Sequence, residues 1–373
     1  MAVACAQIIQ WIEQLAPKRL AEDWDAIGLQ VGSPAAAIDG VYVALDLDQQ
    51  VIDGALAAGC QLIVTHHPFL FKPLKALRWD QPQGALIRTL VAEQLQVYAA
   101  HTNLDSATGG VNDVLAETLG LQEVRPLADD RAEELMKIVV FVPLAQEAMV
   151  RKAMGDAGAG QLGDYSHCTF RTEGLGSFLP LPGAQPFIGQ TGVMEEVQEC
   201  RVEAIVRKSQ LSRVLKAMLK AHPYEEVAYD VYGLVNRGPA QGLGRYGWLA
   251  QSMTVEDLVD LVKSRLSIPA LRWIGRDRQR IVRKIALCGG SGMSLLRPAS
   301  MQGADLLLTG DVKYHEAQMA LELGIDVLDA GHYATEQPVI AALCTYLTRC
   351  AGEAKVPLTV VPHRQNQDPF TFW

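Results

Sequence analysis

The chain lacks the marks of a membrane, secreted or nucleic-acid-binding protein. No segment reaches the roughly 18 consecutive apolar residues of a membrane span. Gln7, Gln10, Glu13 and Gln14 interrupt the first apolar pattern, where a secretory leader needs an unbroken one. A basic footprint is also missing. The formal net charge of -9 and pI near 5.4 argue against a general binder of nucleic acid or anionic membrane. The one basic cluster, Arg276, Arg278, Arg280, Arg283 and Lys284, is interrupted by Asp277 and leads into a strand, so it reads as a solvated loop. Seven scattered cysteines with no C-x-x-C pair fit a reducing compartment, and a cytoplasmic location is expected.

What is present is core-forming material. The chain has 373 residues, 49% of them hydrophobic, enough for two domains or one large domain with an insertion. Apolar residues at helical spacing (Ile8, Ile9, Ile12, Leu15) open it. A strand over 40–45, a helix over 50–59 and a strand over 62–65 then read as a βαβ start with a parallel sheet. A helix over 83–94, a strand over 96–100 and a helix over 111–119 come next. From about Arg125 to Gln241 the texture changes to three β-rich runs, a glycine-rich middle and two helical patterns. The fold class expected is therefore α/β, a two-part core with parallel-rich sheets over 1–124 and 242–373, interrupted by an inserted α+β domain over 125–241.

Chemistry gathers at strand ends. The buried run Leu62–Thr65 delivers His66 and His67 and is stopped by Pro68. Neighbouring side chains on a strand point to opposite faces, so the two imidazoles converge only if the backbone leaves the strand there. The strand over 96–100 ends in His101-Thr102-Asn103-Leu104-Asp105, and the strand over 325–328 ends in Asp329-Ala330-Gly331-His332, with Glu336 one helical turn on. In α/β sheets ligands collect at the carboxyl ends of strands. Three imidazoles (His66, His67, His332) and two carboxylates (Asp105, Glu336) at one rim can hold two divalent cations with a bridging carboxylate. Polar strand ends with no shared purpose would not explain why His and acid recur there while Ser and Lys do not. Two further stretches are weaker: the acids of the turn over 22–32, Asp25 among them, could approach a metal site or simply cap the turn, capping being favoured, and Cys288-Gly289-Gly290-Ser291-Gly292 could cradle an anion but is too loose for a phosphate fingerprint.

The segments LIVTHHPFLFK (62–72), HTNLDSATGGVND (101–113), LLTGDVKYHE (307–316) and DAGHYATEQP (329–338) resemble the dinuclear metal-centre proteins known as GTP cyclohydrolase 1 type 2 homologues, the Nif3-like family. They occur in the family's order in both halves of the core. The resemblance implies two divalent ions per chain on His66, His67, Asp105, His332 and Glu336, with Zn, Fe, Mn and Ni all compatible with such donors. It implies a toroidal homohexamer. It also implies that the insertion is PII-like or ferredoxin-like, with His222-Pro223-Tyr224-Glu225-Glu226 matching a motif of divalent-cation tolerance proteins. Ala26 departs from the family, which commonly has Asn there. The function expected is metal-dependent hydrolysis of a nucleotide or related small molecule, with His315 as proton donor. The competing expectations are a regulatory or scaffold protein whose insertion senses a ligand or partner, and a metal-handling protein.

Overall fold

The computed structural model describes residues 2–128, 131–364 and 368–371. The chain forms two compact units, one from residues 1–131 and 241–373, the other from 132–240. The core therefore keeps the chain as far as Arg131, past the change of texture at 125, because Gln122–Pro126 is a strand of the core. Five residues, mostly polar and ending in a proline, carry too little apolar signal to be read as a sheet strand.

Among the described residues the core unit holds two large sheets and a two-stranded antiparallel ribbon of Val3–Ala4 and Ala37–Ile38. The first large sheet runs in the order 359–362, 40–44, 62–65, 96–99, 28–31, and its first four strands are parallel. Alternate residues feed opposite faces. Val41, Val43, Leu62 and Val64 pack against the helices Cys5–Leu15 and Pro338–Ala354, while Tyr42, Ala44, Ile63 and Val97 pack with Val51 and Ile52 of the helix Gln49–Ala57. Burial on both faces explains the unbroken apolar runs, and each such aliphatic side chain stabilises the fold by roughly 1.5–3 kcal/mol. Asp48 caps the 49–57 helix by accepting from the Val51 amide at 2.8 Å.

The second sheet is less parallel than the sequence suggested. Its order is 272–274, 326–329, 306–310, 281–291, 245–254, 122–126, and only the contacts among 326–329, 306–310 and 281–291 are parallel. The antiparallel strand Arg245–Thr254 is hidden in the sequence because it opens on a buried arginine. Arg245 is 2% exposed, pairs with Asp113, and donates to the carbonyls of Gly242, Gly244 and Ala107. It thereby ties the 102–113 region of the first half to the second sheet.

The unit over 132–240 has the element order strand 134–143, helix 147–156, strands 169–178 and 195–207, helix 211–221, strand 229–237. Its sheet is antiparallel, with the fourth strand beside the first and the third beside the second. That is the split βαβ, ferredoxin-like arrangement. One sheet face, with Ile138, Val140, Val202 and Ala204, packs on Val150, Met154, Val214 and Met218 of the two helices.

Candidate metal centre

The pair His66-His67 is held where the 62–65 strand ends. Both amides still bond to the neighbouring strand's extension, His66 to the Ala44 carbonyl and His67 to that of Leu45, while the Thr65 hydroxyl donates to the His67 carbonyl at 2.8 Å. The chain bends, and the two rings lie with centroids 4.9 Å apart. Asp105 comes from the short helix Thr102–Ser106, and Asn112 fastens it. The Asn112 amide donates to the Asp105 carbonyl, and its oxygen accepts from the Gly289 amide, each at 2.9 Å. His332 and Glu336 share the turn of helix that starts after Gly331, whose φ of +86° suits glycine.

These elements place the five residues named from the sequence within reach of one another. His66, Asp105 and Glu336 form one group able to hold a metal, and His67, His332 and Glu336 form another. A third, His66, His67 and His101, brings in an imidazole that was not among the five. The signal for it was present, since His101 opens the same motif that supplies Asp105 and sits at the same strand end.

The four imidazoles share one feature. Each has its Nδ1 beside an acceptor: the Ala100 carbonyl for His66 (2.9 Å), Asp46 for His67 (2.8 Å), Asp25 for His101 (2.9 Å) and Asp311 for His332 (2.6 Å). An acceptor there keeps the proton on Nδ1 and turns the Nε2 lone pair to the centre, as in the carboxylate–histidine arrangement of metal sites. Asp25 also accepts from the Thr102 amide and hydroxyl, so it both caps that helix and orients His101. Each of these aspartates lies past a strand end or in a turn, and for Asp25 the sequence left open both a cap and an approach to the metal site.

The inward-facing atoms fit a cation. His332 Nε2 lies 3.3 Å from His67 Nε2, and two lone pairs at that separation need a positive charge between or beside them. Glu336 lies 3.0 Å from His67 Nε2 and 3.2 Å from His332 Nε2. Among the described residues His66 Nε2 and Asp105 Oδ1 are buried without a hydrogen-bond partner, 3.5 Å apart. Buried polar atoms left unpaired cost free energy unless something binds them.

Burial depresses the His67 imidazole, but the hydrogen bonds to Asp46 and Glu336 outweigh it and lift its pKa to about 10. The Glu336 hydrogen bond lifts His332 to about 9 against the effect of burial. Burial raises Asp105 to about 6, and although burial acts the same way on Glu336, the surrounding imidazoles hold it well below the usual range. Metal binding would displace the imidazole protons.

His67 and His332 face an open cleft of about 940 Å³, lined also by Asp46, Asp48, Asp311 and Asp368. Among the described residues no Lys or Arg lines it. His315 does not line it. That residue is exposed on the helix Tyr314–Leu323, with Nδ1 3.0 Å from Gln318 Oε1. The glycine-rich stretch 288–292 is not an anion cradle. Its amides are committed to Asn112, Thr335 and Thr309, and its role is to leave room, since a Cβ on Gly290 would lie 2.2 Å from Glu336 Oε1.

Comparison with known proteins places this arrangement. The model of the Duf34/NIF3 (NGG1p interacting factor 3) family matches residues 3–369. The chain belongs to that family. A Bacillus subtilis relative named GTP cyclohydrolase 1 type 2 homolog is 44% identical over 366 residues, covering 98% of each chain. A Bacillus cereus protein related to NIF3 superimposes with a TM-score of 0.95 at 42% identity, covering 100% of both chains. A Staphylococcus aureus protein gives 0.80 at 28% identity, covering 100% of this chain and 99% of its own. The mixed α/β fold is thus that of the family. Among the described residues no helix is long and apolar enough to cross a membrane.

Proposed function

We propose that this chain is a hydrolase dependent on divalent metal ions, two per chain, with His66, Asp105 and Glu336 serving one and His67, His332 and Glu336 the other. The observation that carries the reading is the pair of imidazole Nε2 atoms facing each other at 3.3 Å beside a buried carboxylate. Packing alone would not hold two lone pairs together. Divalent ions in such a site lower the pKa of water towards about 7 and stabilise negative charge developing on a substrate. The protein's own part is to fix the donors: Asp46, Asp311 and the Ala100 carbonyl hold the Nδ1 protons, and the bend at His66-His67 aims both rings inward. His101, oriented by Asp25, stands ready as a further donor.

The name shared by the relatives directs attention to GTP. The cleft bears on that substrate, because Asp46, Asp48, Asp311 and Asp368 line it and, among the described residues, no Lys or Arg does. A triphosphate would be repelled by the walls and held only through the metals. Neutral or cationic heterocycles and amides suit the walls better. The test is turnover of a panel holding GTP, nucleosides, cyclic amides and simple phosphate esters, with added Mn or Zn and with chelator. Metal-dependent release of product that is lost in Glu336→Ala supports the reading. Inactivity across the panel by protein shown to carry metal would favour a second one, in which the metals hold the core and the unit over 132–240 senses a small molecule. The observation behind that second reading is a pocket confined to that unit.

A further inference from the structure

The motif His222-Pro223-Tyr224-Glu225-Glu226 has a structural half and an exposed half. His222 is buried and internal to the turn. Its Nδ1 accepts from the Tyr224 amide at 3.1 Å, so Nε2 carries the proton and donates to the Phe141 carbonyl at 2.9 Å. The histidine is thereby used up in holding the turn, and it presents Tyr224 and the two glutamates to a pocket of about 480 Å³. That volume is within the range of small-molecule sites, about 300–1,000 Å³.

The pocket has an unusual combination of walls. Phe178 stands edge-on to Tyr224 with centroids 5.9 Å apart, and Phe187 is tilted to Tyr224 at 6.3 Å. Leucines, prolines and an isoleucine from the 178–188 stretch complete an apolar wall. Set into it are three carboxylates, Glu199, Glu225 and Glu226, and among the described residues no basic one lines it.

Glu199 is the informative one. It is half-buried on the strand Glu195–Arg207, and the Tyr224 hydroxyl donates to its Oε1 at 2.9 Å. Its other oxygen lies over Gly176 of the adjacent strand, where a Cβ would approach to 2.2 Å. The glycine gives that carboxylate its place. Burial and the neighbouring carboxylate together raise the Tyr224 pKa, so the phenol stays a donor. A carboxylate among aromatic rings, without a cationic partner among the described residues, is complementary to a positive charge carried on an apolar body.

We propose that this pocket is a binding site for a small organic cation, an ammonium group on an alkyl or aryl body, with Glu199 as counter-charge and Phe178, Phe187 and Tyr224 as the aromatic walls. An inorganic cation would leave the apolar wall unused. A neutral ligand would leave Glu199 uncompensated. This site is separate from the metal centre and stands or falls independently of the reading given for it.

The test uses the full chain and benzyltrimethylammonium chloride as probe, with benzyl alcohol and benzoate as neutral and anionic counterparts. Binding is read by calorimetry and by saturation transfer in ligand NMR. The expected result is saturable binding of the ammonium compound, with both counterparts at least roughly tenfold weaker. Glu199→Gln keeps an acceptor for the Tyr224 hydroxyl and removes the charge, and it should weaken the probe by about tenfold. Gly176→Ala acts by displacing the carboxylate and should do the same, which keeps the test open should the first variant fold poorly. Equal binding of benzyl alcohol, ammonium binding that survives in both variants, or no saturable binding at millimolar probe would each overturn the proposal. So would loss of subunit association in Glu199→Gln, seen by light scattering, without ammonium binding in the wild type, which would make the pocket a contact between copies.

Discussion

Gly290→Ala isolates the metal centre from its own ligands. Gly290 has φ +60°, and a Cβ built on it would lie 2.2 Å from Glu336 Oε1 and 3.1 Å from His332 Nε2. Non-bonded atoms sit comfortably at about 3.5 Å, so the carboxylate must withdraw by about 1 Å. Carboxylate–metal bonds hold only within about 0.2 Å of their proper length. A carboxylate pushed back this far leaves the group it forms with His67 and His332 and the one it forms with His66 and Asp105. Metal affinity should fall by more than the roughly 10–100-fold typical of losing an orienting partner. Stability should suffer less, because Glu336 can turn aside, leaving mainly the cost of alanine in the left-handed region, about 1–2 kcal/mol. Gly289→Ala is the control. Its Cβ would meet Val111 Cγ1 at 2.8 Å and come no nearer to Glu336 than Cγ at 3.4 Å, so it should lower stability while keeping metal. The assays are metal per chain by elemental analysis, affinity by competition with a chromophoric chelator, and melting temperature. Wild-type metal content and affinity in Gly290→Ala would refute the reasoning, as would equal metal loss in both variants.

Three further outcomes are expected. Asp46→Asn, which removes the carboxylate that holds the His67 Nδ1 proton at 2.8 Å, should weaken metal binding about 10–100-fold without unfolding the chain, measured by the same chelator competition. His315→Gln should leave metal content and any turnover unchanged, since the residue is exposed and engaged with Gln318; a fall in turnover at constant metal content would restore it as a proton donor. His222 has its pKa lowered by burial, against the opposing effects of Phe141 and Glu199. Its neutral form is thus favoured in the folded state, and its contribution is complete above the unfolded value of about 6.5 and lost as pH falls through the lower folded value. Amide protection in the 132–240 unit of the intact chain, taken as exchange relative to the intrinsic rate at the same pH, should therefore fall below about pH 6.5, and His222→Gln should remove that pH dependence.

The residues that the fold gathers at the candidate metal centre could be grouped from the sequence because strand ends are local signals. Leu62–Thr65 is a β-branched, apolar run buried on both faces, and its period and length mark where it stops. Residues just past such strands in an α/β sheet gather at one rim, so His66, His67, Asp105, His332 and Glu336 could be grouped without coordinates. The family motifs act at the same scale. The change of texture in the middle of the chain was likewise readable, although its start was placed at 125, within the core strand Gln122–Pro126.

Three things were settled by contacts between residues far apart in the chain. Asp46 and His67, Asp25 and His101, and Asp311 and His332 are 21, 76 and 21 residues apart, so nothing local links each imidazole to the acid that orients it. Arg245 looks like a surface residue beside two glycines until Asp113 and the carbonyl of Ala107, over 130 residues earlier, enclose it. Gly290 looks like loop filler until Glu336 comes to lie against it. Periodicity records which way a side chain faces along its own element. It carries no record of which distant group the fold sets opposite, and in this protein that opposite group orients each imidazole of the candidate metal centre, buries an arginine and sets the space left for a carboxylate.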